Sequence, residues 1–248
     1  MGFEDDIKKK VSTILDEKFE VEEVTSVPDI ANPKLTFGNK GLEFEATVLY
    51  IDMRGSTEVL NSHNKPVVAK IHMAYFHTIV KIANSLGGEV RSFNGDSMLV
   101  FFAGTTKEIL NKAVQAAMQM VYMIGHEENG INKMLSKYTK IDFGIGLDDG
   151  KILCTKIGVG GDSNNKDLIW IGNPVNKSTV LSDHAKKHEN IYISKRVYEC
   201  LNDDMKYYNT STNAWGEEVH TDMWQYCVFE YNGQTESCYH TSYCWTVG

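Results

Sequence analysis

Thr47-Val-Leu-Tyr-Ile-Asp52-Met-Arg-Gly-Ser-Thr57 decides how this chain is read, because an apolar, strand-forming run ends in one carboxylate followed by a Gly-Ser-Thr loop. Side chains alternate across a strand, so Val48, Tyr50 and Asp52 share one face and Leu49 and Ile51 the other. A carboxylate at the edge of such a run adds nothing to packing and is costly without a partner. Past Asp52 the chain turns at Gly55, and Ser56 and Thr57 offer N-cap chemistry for a short helix whose free N–H groups suit a polyphosphate.

A second stretch repeats the pattern. Gly87-Gly-Glu-Val-Arg-Ser-Phe-Asn-Gly-Asp96-Ser-Met-Leu-Val-Phe-Phe102 reads as a hairpin, residues 90–93 and 97–102 about a tight Asn94-Gly95 turn. That places Asp96 beside the turn, at the end of a central strand. One Asp after a strand is ordinarily a cap or a turn former. Two of them, one before a Gly-Ser-Thr loop and one in a hairpin, suit a pair of hard divalent cations that keep room for phosphate oxygens.

Outward from these stretches the periodicity changes to helical. Pro66 opens a helix with Val68, Ile71, Tyr75, Ile79, Ile82 and Leu86 on one stripe, stopped by Gly87-Gly88. Leu110, Ala113, Val114, Ala117, Met118 and Val121 mark another. Residues 140–147 and 152–159 read as two strands about the turn Asp148-Asp149-Gly150. A strand, a helix, two strands, a helix and a strand make an α+β, ferredoxin-like βαββαβ unit.

These motifs resemble the class III nucleotidyl cyclases. In that family a strand ending in Asp with a Gly-Ser/Thr loop pairs with a Gly-Asp hairpin, and a Gly-Asn/Asp-x-Val-Asn segment completes the site. This chain carries all three in order, the last as Gly172-Asn-Pro-Val-Asn176. The resemblance covers roughly residues 43–200. It implies a homodimer with sites at the subunit interface and two divalent ions, manganese or magnesium, on Asp52, Asp96 and the Met53 carbonyl. The loop Arg54, Gly55, Ser56 and Thr57 would hold the triphosphate, Gly95 would lie in the site hairpin, and Asn176 from the opposite subunit would orient the ribose.

The purine-reading positions of the family differ here. Four residues before Asp96, purine-specific relatives carry Lys or Glu, and this chain has Ser92; seven before Asn176 they carry Asp or Thr, and this chain has Ile169. Neither can reproduce purine hydrogen bonds, and unpaired base edges cost about 1–3 kcal/mol each. Tyr50 adds bulk near the base, and Arg91 and Trp170 flank the altered positions. The pattern is similar to that of the pyrimidine cyclases of bacterial antiphage defence. Those make cyclic UMP or cyclic CMP for a separate effector protein; a purine cyclase or a non-catalytic nucleotide-binding module are the alternatives. Four residues after Asn176 the family places a transition-state Arg, and Val180 stands there instead, leaving Arg54 or Lys177 as substitutes.

The rest of the chain sets bounds. A net charge of −8 argues against a nucleic-acid groove, and no apolar run reaches the roughly 18 residues of a membrane span. Five cysteines without a Cys-x-x-Cys fit reduced thiols in a cytoplasm. Residues 1–42 read as an N-terminal helix and linker, 43–202 as the catalytic domain and 203–248 as a β-rich extension. The helix, at 4–18, carries Ile7, Val11, Ile14 and Leu15 on one side and is too short to stand alone, so it should dock on the body or on a second copy. Residues 20–42 carry Pro28 and Pro33 among scattered polar residues and read as a linker with room for one short strand. Residues 160–167 read as a mobile polar loop, 168–171 as a strand, and 173–186 as a helix capped by Asn173. The extension has strands at 224–231 and 237–245 about Asn232-Gly233, expected to close the chain's own sheet. His184 and His188, four apart, lack a third ligand and read as a solvated helical face.

Overall fold

The computed structural model describes residues 2–159 and 164–247. In chain order it contains α1 (Phe3–Asp16), β1 (Glu20–Glu23), β2 (Lys40–Arg54), α2 (Ser56–Ser62), α3 (Lys65–Ser85), β3 (Gly88–Asn94), β4 (Ser97–Ala103), α4 (Lys107–Gly125) and α5 (Ile131–Leu135). There follow β5 (Asp142–Gly158), β6 (Lys166–Ile171), α6 (Asn173–His184), β7 (Ile191–Ser194), α7 (Lys195–Glu199), α8 (Asp203–Lys206), β8 (Tyr207–Thr212), β9 (Glu218–Asp222), β10 (Gln225–Tyr231) and β11 (Gln234–Thr241). The main sheet runs β10-β11-β7-β5-β2-β4-β3, with β1 beside β2 and β6 beside β5. Its β5-β2-β4-β3 portion is antiparallel throughout and has the strand order of a ferredoxin-like unit.

Alternation along β2 sorts the core. Leu49, Ile51 and Met53 face the cluster formed with Ile71, Tyr75 and Ile79 of α3 and Leu110, Val114 and Ala117 of α4. Leu42, Phe44, Ala46 and Val48 face a second cluster with Val27, Leu35, Leu99 and Phe101. The helical stripe read from the sequence is the buried face of α3, started by Asn64, whose side chain accepts from the Val67 N–H.

Over the second face lies α6. It rests on bare backbone: a Cβ at Gly146 would meet the Ser178 carbonyl oxygen at 1.9 Å, and one at Gly144 the Ser182 carbonyl oxygen at 2.4 Å. Glycine is therefore required at both by close approach, not by conformation.

Several expectations need correction. Asp148-Asp149-Gly150 is no turn; β5 runs through it, with Asp148 opposite Val48 and Asp149 opposite Thr47. The two carboxylates find partners that a turn would not need, since Asp149 takes the Arg196 Nε at 2.8 Å and Asp148 bonds the Ser194 side chain. In the β3–β4 hairpin Asn94 pairs with Ser97, so the turn residues are Gly95 and Asp96, and Gly95 has the positive φ of 64°. The cap of α2 is Gly55 at φ 70°, with Ser56 already helical and making no side-chain cap. Likewise Gly172 precedes α6, while Asn173 is its first residue and the helix ends at His184.

At the N-terminus, α1 buries none of its residues; Ile7, Val11 and Ile14 stay about half exposed. Its ties to the body include Asn39, whose Nδ2 donates to the Ile14 and Glu17 carbonyls. Thus docking on the chain's own core does not occur. The C-terminal hairpin β10–β11 joins the main sheet through β11 and β7, as expected. Cys227 and Cys238 face each other across it and form a disulfide, with Cα atoms 5.0 Å apart, so the cysteines are not all reduced; Cys154, Cys200 and Cys244 are free. Four residues of the expected mobile loop lie outside the described residues.

Candidate active site

Asp52 forms the last pair of the β2–β4 ladder, opposite Ser97, and Asp96 immediately precedes Ser97 in the turn. Strand pairing thus brings together two carboxylates that lie far apart in sequence. Burial, then Asp96 and Asp183, push the Asp52 carboxyl up to about 6. Its Oδ1 is buried and has no hydrogen-bond partner. A half-buried carboxylate that accepts from the Met53 N–H but leaves one buried oxygen unpaired, and that faces a second anion, is a site for a cation.

Arg54, two residues beyond Asp52, is engaged through two of its three nitrogens, and its buried Nη1 has no hydrogen-bond partner. Arg54 grips Asp142 across the β2–β5 ladder, Nε to Oδ2 at 3.0 Å and Nη2 to Oδ1 at 2.7 Å. Burial raises the Asp142 carboxyl, but the Arg54 guanidinium outweighs it and holds the group below the usual carboxylate range. Among the described residues no three His, Cys, Asp or Glu side chains converge as a metal cluster. A divalent ion here would therefore draw its remaining oxygens from backbone and from phosphate, which fits Asp52, Asp96 and the Met53 carbonyl.

Around this pair the structure gathers Tyr50, Ser92 and Ser97. Tyr50 is opposite Leu99 of β4, and Leu99 is opposite Ser92 of β3, so the three form one row on one face. The Tyr50 hydroxyl is hydrogen-bonded to the Ser97 side chain, and burial raises its pKa, reinforced by Asp52, Asp183 and Asp96. Gly55, Ser56 and Thr57 follow directly at the start of α2.

Other expected site residues lie elsewhere. Arg91, at a bulge in β3, donates from Nε to the Pro28 carbonyl at 2.8 Å and pairs with Glu89. Trp170 packs in the core, 4.6 Å from Phe101 and 6.0 Å from Phe44 between ring centroids. Ile169 pairs with Thr155, itself opposite Gly41, which puts it eleven strand residues from Asp52, roughly 30 Å or more. Asn176 is exposed on α6, two helical turns or about 10 Å from Asp183, which overlooks Asp52. Within one chain, then, Ile169 is remote from the carboxylate pair and Asn176 is displaced along α6 from the residue that overlooks it.

Sequence reading missed three neighbours. Asp183 follows Ser182, which sits on Gly144, the β5 partner of Asp52. Tyr75, wholly buried, has a hydroxyl with no partner and a pKa raised well above ordinary by burial and then by Asp52 and Asp96. Asp142 pairs with Arg54. Of these, only Tyr75 left a sequence signal, as the one polar-tipped residue in the α3 stripe. Two sizeable cavities, about 620 Å³ beside Asp142 and about 530 Å³ beside Phe44, are lined by neither Asp52 nor Asp96.

The profile of the adenylate and guanylate cyclase catalytic domain matches residues 42–228, well over half of the chain. This chain belongs to that family, the class III cyclases. The cyclase is 30% identical to a protein named uridylate cyclase from Burkholderia cepacia, over 91% of this chain and 96% of the relative. It is 32% identical to another of that name from Treponema porcinum, over 80% of this chain and 68% of the relative. Its fold matches the crystal structure of the guanylyl cyclase Cya2 with a TM-score of 0.64 at 18% identity, covering 82% of this chain and 93% of that one. No helix of the cyclase among the described residues is long and apolar enough to cross a membrane.

Proposed function

We propose that this cyclase converts a pyrimidine nucleoside triphosphate to its 3′,5′-cyclic monophosphate and pyrophosphate, in a homodimer and with divalent metal ions. The observation that carries the reading is the orphaned, buried oxygen of Asp52 beside Asp96. Asp52, Asp96 and the Met53 carbonyl would hold two manganese or magnesium ions. When bound, such ions activate the ribose 3′-hydroxyl and neutralise the departing pyrophosphate. Gly55, Ser56 and Thr57 line the triphosphate. Arg54 braces the end of β2 through Asp142 by Nε and Nη2, while its Nη1 has no hydrogen-bond partner and is the donor that would serve the triphosphate.

Base choice rests on Tyr50 and Ser92, which share a row beside the carboxylates and offer no Lys or Glu to a purine. That relatives carry the name uridylate cyclase supports UTP over CTP as the substrate. The remoteness of Ile169 from the carboxylate pair and the displacement of Asn176 along α6 support a dimer in which Asn176 and Ile169 of one copy face Asp52 and Asp96 of the other. A cytoplasmic role in antiphage defence, with the product read by an effector protein, follows from the same resemblance.

One observation favours a slower or binding-only protein. Val180 packs against the apolar cluster that includes Phe229 and Tyr231, and Lys177 is held by Glu236 at 2.7 Å, so neither position presents a cation to phosphate. Incubating the protein with each of the four NTPs and manganese, with product identification by mass spectrometry, separates the readings. Cyclic UMP or cyclic CMP is expected, and Asp52→Ala and Asp96→Ala should each abolish it while leaving the dimer folded. Turnover retained in either variant overturns the metal assignment; nucleotide binding without pyrophosphate release establishes the binding module.

A further inference from the structure

The first turn of α6 carries Asn176 but has no side-chain cap of its own, since Gly172 occupies the N-cap position. What holds that turn comes from the C-terminal hairpin. The Tyr231 hydroxyl donates to Oδ1 of Asn173 at 3.3 Å, and the Lys177 ammonium donates to Glu236 Oε2 at 2.7 Å while lying 5.0 Å over the Tyr231 ring. The contacts bracket Asn176, three residues before it and one after. One turn further on, Val180 packs against the apolar cluster to which Phe229, Tyr231 and Cys238 of the hairpin belong. Tyr231 is 8% exposed and the Lys177 side chain 17%, so the ion pair is largely shielded from water and counts for more than a surface pair. The Asn176 side chain, between them, is exposed and has no hydrogen-bond partner among the described residues.

We propose that the β10–β11 hairpin is the positioning element for Asn176, with Tyr231 and Glu236 acting through Asn173 and Lys177 to fix the direction in which the carboxamide is presented to a nucleotide on a second copy. This rests on the cyclase reading for what Asn176 does, though not for how it is held. Lys177 and Val180 then have a common purpose: both dock the helix on the hairpin. The task of such a clamp is orientation, and small misplacements of an orienting group are costly in rate.

The test combines Tyr231→Phe with Glu236→Gln. Hydrogen–deuterium exchange at residues 172–180 should quicken, with 40–54 unchanged, and kcat should fall about 10-fold or more at nearly constant KM, because the triphosphate is held by the other half-site. In an Asn176→Ala background the same pair should cost nothing further, as expected when both act through Asn176. Equal losses in the two backgrounds, or unchanged exchange at 172–180, overturn the proposal. If the unaltered protein turns over none of the four NTPs, the cyclase reading fails, and exchange at 172–180 alone then judges the clamp.

Discussion

Asp52 faces opposite demands with and without a cation. Its folded pKa of about 6 stands above the ordinary 3.8, so above pH 6 the ionised form opposes folding of the metal-free protein. That cost shrinks progressively as pH falls from about 6 towards 4, between the folded and the unfolded values, so metal-free stability from this group rises over that window. Asp52→Asn should accordingly stabilise the metal-free protein at pH 7.5 by about 1 kcal/mol, discounted because the group is half exposed. Scanning calorimetry should register this as a rise of about 2–4 °C in Tm. Manganese binding has the opposite dependence, because the proton competes for the same oxygens, so stabilisation by manganese should fade below pH 6. At the base, Ser92→Lys combined with Ile169→Asp should raise kcat/KM for ATP relative to UTP by about 10-fold; competition assays with both nucleotides would show it.

At the scale of elements, α6 depends on two residues that have no side chain. Gly146→Ala puts a carbon 1.9 Å from the Ser178 carbonyl oxygen, with backbone on both sides unable to yield. Overpacking of this kind costs about 1–3 kcal/mol or more, readable as a lowered urea midpoint, and activity should fall further because α6 carries Asn176. The sequence showed the strands and helices well where burial is one-sided, as in α3 and the β3–β4 hairpin. It misled at Asp148-Asp149, where a turn signal is overridden by Ser194 and Arg196, which come from 45 or more residues away and bond the carboxylates within β5. The carboxylate pair was legible because each Asp breaks an apolar run; Asp142 and Asp183 were not, since only strand register and helix seating bring them near Asp52.

For the whole molecule, the proposed dimer divides each site between two chains. Mixing Asp52→Ala subunits with Asn176→Ala subunits should therefore restore turnover that neither has alone. With random exchange, half of the dimers are mixed and each has one intact site of two, so about a quarter of full activity is expected; a titration of one variant against the other measures it. No restoration would mean that a site is built within one chain. The exposed stripe Ile7, Val11 and Ile14 on α1 gives such a dimer additional apolar surface to cover.

Because α6 lies on naked peptide at Gly144 and Gly146 and is gripped by a hairpin of the same sheet, sliding or rocking it would break close contacts on both sides. In the proposed dimer, tightening around a nucleotide would then fall to one entire subunit swinging against the other. A single swing of a two-fold pair would shut both clefts together and so couple the two catalytic events mechanically.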